Sequence, residues 1–335
     1  MITANGHDER RGVHVGGTLT GLERRIVGAL QVDGRASWPR IAAALGEPDG
    51  VVERHGTELL AGGSVRVTGA AAPSAGAIVA LRCEPGKERI GALALANRRD
   101  TRNAHVLAGP YGCLAEIDCD PARLAAFTLD ELPLLPALAG SGVWTVLRYV
   151  RTSAHWRPGL IGDAEHDALV DVEPPPEYAP FGEAKDVNRP DALLLAALAH
   201  DGRRDVDELA GVTGLSASAV RRRVERLRRE GGLRLRVVVD PALLGFTVRA
   251  VVSVRCAPRD VPAVATALSR EPSVRHAACV TGDRQIVAEV ALPTVDALHD
   301  LLTSAAWLDR VTEAEASPVV GTLKRDGLFT LASEH

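Results

Sequence analysis

Between Leu215 and Arg236 eight arginines (221, 222, 223, 226, 228, 229, 234 and 236) stand against two glutamates, Glu225 and Glu230, a local balance of +6. Guanidinium groups contact phosphates and bind guanine edges bidentately, so a run of this kind suits a DNA backbone and its major groove. On a helix turning about 100° per residue, Val220, Val224 and Leu227 share one face and form a buried stripe. Ser218, Arg222 and Arg229 project opposite it, Arg221 and Arg226 lie on the flanks, and Arg223 falls close enough to the stripe to be structural. Like charges one turn apart repel, so such a face gains from an anionic partner. Ser216, Ser218, Arg221, Arg222, Arg226 and Arg229 are the expected DNA contacts.

Other chemistry is thin. His155, Asp163, Glu165 and His166 lie in a loop-like stretch without regular ligand spacing, so no metal site is expected. The turn Gly109-Pro110-Tyr111-Gly112 matches neither a phosphate loop nor a dinucleotide fingerprint. No nucleophile–base pair stands out, and neither a catalytic residue nor a cofactor is expected. Five cysteines, Cys83, Cys113, Cys119, Cys256 and Cys279, form no C-x-x-C pair and sit mostly in apolar β-rich segments, as buried reduced thiols of a cytoplasmic protein do. The longest apolar run, residues 192–199, is far short of the roughly 20 residues that span a bilayer, so no membrane partner is expected.

The elements that position the arginines form a helix-turn-helix. Pro190 opens a first helix, residues 205–212 form a second, Thr213-Gly214-Leu215 turns, and Ser216 caps the arginine-rich third, which ends at Gly231-Gly232. Leu233–Val239 follows as an extended wing. The next segment alternates as β-α-β-β-α-β, the ferredoxin-like order.

This layout occurs twice. Leu30–Gly46 and Leu198–Gly214, offset by 168, coincide at 6 of 17 positions, which is half the 335-residue chain apart. Val106–Ile117 and Cys279–Val290 share a glycine and an Ala-Glu pair. The expected class is α+β: two winged helix-turn-helix domains, each followed by a ferredoxin-like domain. The boundaries are a disordered tail (1–18), a first helical domain (19–68), its βαββαβ domain (76–151), a Pro-rich linker (152–187), a second helical domain (188–247) and a second βαββαβ domain (248–330). The window Glu47–Thr68, which matches the arginine-rich one, has a balance of −2, so the first helix-turn-helix is expected to bind DNA weakly or not at all. The net charge of −4 is thus an average over one basic head and one acidic head.

Residues 190–245 resemble the DNA-binding domain of the Lrp/AsnC transcription regulators, and the following segment, including VTGDRQIVAEV, resembles that family's ligand-sensing domain. The likeness covers nearly all of 188–330 and, more faintly, 19–151, as in members that fuse two units. It implies a sequence-specific regulator of double-stranded DNA with Ser216–Arg229 as recognition helix. It also implies sensing domains that pair through their sheets into homo-oligomers, and an amino acid or other small effector between them. The effector site would be bordered by Gly109, Tyr111 and Gly112 and by Gly282, Asp283, Arg284 and Gln285. The family's loop reads Gly-x-x-Asp, and here Gln285 and Gly112 replace the carboxylate. Sirohaem decarboxylases share the fused layout and are the alternative, but they need a dense His/Tyr/Arg cluster. Residues 98–112 offer Arg98, Arg99, Arg102, His105 and Tyr111.

Overall fold

The computed structural model describes residues 17–70, 75–170 and 187–330. Most of the expected tail and residues 171–186 of the expected linker lie outside them.

Local signals set the first helices. Thr20 and Glu23 close a capping box on α1 (Gly21–Val32). Ser37 caps α2 (Trp38–Leu45), which stops at Gly46 with φ of +67°. α3 (Asp49–Ala61) and β1 (Val65–Ala70) complete this part. The chain continues through β2 (Ala77–Cys83), α4 (Glu88–Ala96), β3 (Thr101–Leu107), β4 (Cys113–Ile117), α5 (Pro121–Ala126) and β5 (Leu138–Arg151). A short helix α6 (Asp163–Leu169) follows. Then come α7 (Arg189–His200), α8 (Val206–Thr213), α9 (Ala217–Arg229) and β6 (Arg234–Val239). The last part is β7 (Val248–Cys256), α10 (Val261–Arg270), β8 (Val274–Val280), β9 (Ile286–Leu292), α11 (Val295–Thr303), β10 (Val311–Arg325) and β11 (Leu328–Phe329).

The two helical parts meet back to back. β1 and β6 pair antiparallel with Thr68 opposite Arg236, two positions 168 apart. Arg35 donates to the carbonyls of Gly202 (2.7 Å) and Arg204 (3.0 Å). Arg203 returns the contact, donating to the carbonyls of Gly34 (2.9 Å) and Ala36 (3.0 Å). Every partner in this exchange is 168 residues from its counterpart.

The two βαββαβ segments do not keep separate sheets. Eight antiparallel strands run β10-β3-β4-β2-β5-β8-β9-β7 and back to β10, which closes a barrel. Each segment lends its last strand to the other: β5 lies beside β8, and β10 beside β3. The sheet pairing expected between protein copies therefore takes place inside one chain. Separate cores lie outside the wall, one around Leu81, Leu95 and Phe127, the other around Val254, Leu268 and Trp307.

The expected linker is folded over its first part. Trp156 and Leu169 are buried in the core of α1–α3. Glu165, expected in a loop, lies in α6, accepts from the Gly162 amide (2.8 Å) and pairs with Arg25 at 2.6 Å. Residues 156–169 carry Trp156, Leu160, Ile161 and Leu169, which find a core, and apart from Pro158 the prolines that mark a linker fall in residues 171–190.

Candidate nucleic-acid interface

The Ser216 hydroxyl accepts from the Ala219 amide at 3.3 Å and fixes the start of α9. Gly214, with φ of +70°, turns the chain out of α8, a conformation a side chain would strain. Val220, Val224 and Leu227 then bury against Leu194, Leu198 and Leu209. That leaves Ser216, Ser218, Arg222 and Arg229 exposed on the outer face, and Arg221 exposed on the flank, where it lines the groove towards Asp33 of the first helical part. Among the described residues no carboxylate pairs with Arg221, Arg222 or Arg229.

The remaining arginines of α9 are engaged. Arg223, placed near the stripe by its angle, pairs with Asp191 of α7 at 2.9 Å. Arg226, expected at the DNA, binds the other oxygen of the same carboxylate. Burial would raise the Asp191 carboxyl, but the two guanidinium hydrogen bonds more than offset this and hold it below its usual range. Arg228 crosses to the first helical part and pairs with Asp33 at 2.9 Å. Sequence reasoning missed both carboxylates, since each is far from α9 along the chain.

The matching helix α3 starts at Pro48 with no side-chain cap and exposes Glu53, Arg54 and Glu58. Its packing is of a different kind. A Cβ at Gly56 would stand 2.4 Å from the Trp38 ring, so α2 and α3 approach closely only because Gly56 has none. The same ring stacks under Arg203 at 4.4 Å and ties the two helical parts together.

At the barrel end bearing the β3–β4 and β8–β9 loops, the expected effector residues converge on Trp144. Tyr111 meets it edge-on at 5.7 Å, Arg284 lies 4.7 Å above its ring, and its indole N–H donates to Asp283 at 3.0 Å. Gly282, with φ of +97°, leaves room for Trp144, since a Cβ there would sit 2.8 Å from the ring. Gln285 accepts from the Cys256 amide (3.0 Å), a Cβ at Gly112 would strike Glu88, and one at Gly109 would strike Ser317. The two loops thus come together, with an indole filling the space between them. A lone tryptophan among small residues, GSGVWT, was the unused signal.

Charged groups share the barrel interior with an apolar cluster that includes Ile78, Val251 and Val287. Glu116 accepts from Tyr149 (2.7 Å) and Asn103 (2.7 Å) and lies 3.4 Å from His276. Its counterpart Glu289 pairs with Arg275 (3.1 Å) and Arg249 (3.2 Å), and lies 3.7 Å from His105. Burial opposes ionisation of both carboxyls, yet the surrounding cations hold both far below the usual range. The two imidazoles diverge. Burial opposes charge on His276, but Glu116 outweighs it and raises this group. Burial, reinforced by Arg249, Arg275 and Arg325, outweighs Glu289 and pushes His105 down to about 3, so it is neutral.

An AsnC-type helix-turn-helix domain matches residues 189–228, and an Lrp/AsnC ligand binding domain matches residues 249–329. The second half of the chain is thus similar to the Lrp/AsnC regulators in both of its domains. This Lrp/AsnC-type unit is similar to the HTH-type transcriptional regulator FL11 of Pyrococcus horikoshii, 26% identical over 113 residues, 33% of this chain and 75% of that protein. The HTH-type transcriptional regulator LrpA of Pyrococcus abyssi is 27% identical over 140 residues, 41% of this chain and 99% of LrpA. Over the whole chain the fold is similar to a crystal structure of the siroheme decarboxylase NirDL, at a TM-score of 0.57 and 12% identity, covering 93% of this chain and 95% of that one. That likeness concerns the fold alone. No helix among the described residues is long and apolar enough to cross a membrane.

Proposed function

We propose that this chain is a sequence-specific regulator of transcription, acting in the cytoplasm on double-stranded DNA through α9. The observation that carries the reading is the exposed, carboxylate-free row Arg221, Arg222 and Arg229 on a Ser216-capped helix of an AsnC-type helix-turn-helix. Ser218, beside the cap, is a further DNA contact, and Arg226 contributes only when it leaves Asp191.

The first half is a second copy of the unit, with an acidic α3 that leaves DNA to α9. Its support is the reciprocal Arg35 and Arg203 contacts and the exchange of β5 and β10. One chain then presents a single basic head, and an operator with two half-sites recruits two chains. Since the sheet edges are used internally, two chains meet through another surface. A small effector, an amino acid or a different molecule, acts at the Gly109–Gly112 and Gly282–Gln285 loops, where binding requires Trp144 to move.

The test is a mobility-shift assay on operator fragments drawn from a genome-wide map of bound DNA, made with and without amino acids. The triple variant Arg221→Ala, Arg222→Ala, Arg229→Ala is expected to lose binding; unchanged binding refutes the assignment. A decarboxylase reading has the whole-chain likeness to NirDL in its favour. The hollow lined by His105, Glu116, His276 and Glu289 is about 20 Å³, room for one water, so a tetrapyrrole does not fit there. Absence of haem-type absorbance after a tetrapyrrole is added disposes of that reading.

A further inference from the structure

The opposite end of the barrel faces the β1–β6 ribbon that joins the two helical heads. A cleft there is lined by Arg234 and Arg236 of β6, Arg102 and Asn103 of β3, His276 of β8, and Asp326, among others. Two of its three guanidiniums are neutralised. Arg102 pairs with Asp118, while Arg236 reaches Asp326 (3.6 Å) and the Thr68 hydroxyl (3.2 Å). Arg234 has no such partner. It is half-buried, its Nε is fully buried, and among the described residues its side chain makes no hydrogen bond or ion pair. A guanidinium whose Nε is withdrawn from water with neither a hydrogen bond nor a counter-charge is under-satisfied, so Arg234 can still take an anion.

The neighbourhood makes the deficit larger. Burial and the charges of Arg234, Arg157 and Arg151 push the His155 imidazole down to about 3, so a positive field extends along the turn after β5. Among the described residues Asp326 is the only carboxylate lining the cleft, and it is taken: it accepts from Arg275 (2.7 Å) and from Ser153, beside Arg236.

We infer that this cleft is an oxyanion site, in which Arg234 receives a phosphate or carboxylate group between the DNA-binding heads and the barrel. The inner hollow of the cleft is about 20 Å³, room for one water-sized atom, so one oxygen of the anion enters it and the rest of the group lies towards the mouth. The ligand is an inorganic anion or the charged end of a larger molecule whose remainder stays outside. Arg234 offers the planar fork that phosphates and carboxylates share. The site lies at the opposite end of the barrel from the Trp144 loops and touches β6, so an anion bound here joins the wall of the barrel to the strand that follows α9.

The experiment uses the full chain and needs no DNA, so its failure leaves the regulator reading standing. Thermal unfolding is followed against rising sodium phosphate or sodium acetate, with sodium chloride at matched ionic strength as reference. The wild type is expected to gain stability saturably with at least one of the two anions, phosphate alone indicating a phosphate site and acetate a carboxylate site. Arg234→Gln is expected to weaken half-saturation at least tenfold, to be no less stable than wild type in chloride, and to regain part of the response as Arg234→Lys. Arg66→Gln, at the exposed position 168 residues earlier, should respond like the wild type. A saturable gain with neither anion, an equal gain in Arg234→Gln, or a lower melting temperature of that variant in chloride overturns the site.

Discussion

Arg222 and Arg229 stand free on the outer face of α9, whereas Arg226 shares Asp191 with Arg223. The two kinds of arginine separate by salt dependence. A phosphate contact releases counterions, so each of Arg222→Ala and Arg229→Ala is expected to weaken DNA binding and flatten the slope of log K against log salt by about 1. Arg226→Ala should leave the slope nearly unchanged and lower the melting temperature, because Asp191 loses one of its two cations. A slope change as large for Arg226 as for Arg222 sinks this division. The angular position of Arg223 revealed its structural role from sequence alone. That of Arg226 did not, because its partner is fixed by the packing of α7 on α9 and not by helical periodicity. Two imidazoles give a second residue-level expectation. His105 and His155 are held at about 3 in the fold, below the ordinary 6.5, so the unfolded chain binds their protons first as pH falls. Stability must then drop between about pH 6.5 and pH 3, by at most about 1.4 kcal/mol per pH unit for each. The raised His276 acts only above pH 6.5, where its stabilisation fades as pH rises. Urea midpoints at pH 7 and pH 5 should differ less for His155→Gln than for the wild type; an unchanged difference shows that His155 is not held neutral.

At the level of elements, order was legible and partnership was not. Caps, turn glycines and apolar spacing placed the helices around Ser216 and Gly214, and alternation located strands such as β9. Which strand edges would meet is invisible to periodicity, since β5 carries the same alternation whether its neighbour is another copy or β8 of its own chain. The stretch after β5 reads as a linker for a related reason. Its apolar residues are sparse, and their partners lie about 130 residues earlier, in α1 and α2. Leu169 of α6 is fully buried in that core beside Ile41 and Leu45. Leu169→Ala should therefore cost about 2–5 kcal/mol, the usual range for a leucine removed from a core. A solvated linker residue would cost almost nothing. Thermal denaturation of this one variant distinguishes a folded strap from a tether.

For the whole molecule, the closed barrel decides how many chains make one functional body. An open sheet edge is a template for another strand, and closure removes it. Here β5 covers β8 and β10 covers β3, while the helical heads are locked by β1, β6 and the paired arginines, so the interfaces that two single units would share are spent within one chain. The full chain is expected to sediment as a monomer in the absence of DNA. Residues 187–335 alone would expose the edge of β8 left by β5 and the edge of β10 left by β3. They should self-associate into a dimer that rebuilds the eight-stranded barrel with two copies of α9. Such a dimer carries two basic heads where the natural chain has one, so it should favour palindromic DNA more strongly. A half-chain that stays folded and monomeric in analytical ultracentrifugation would show that the exchange of β5 and β10 is not what holds the halves together.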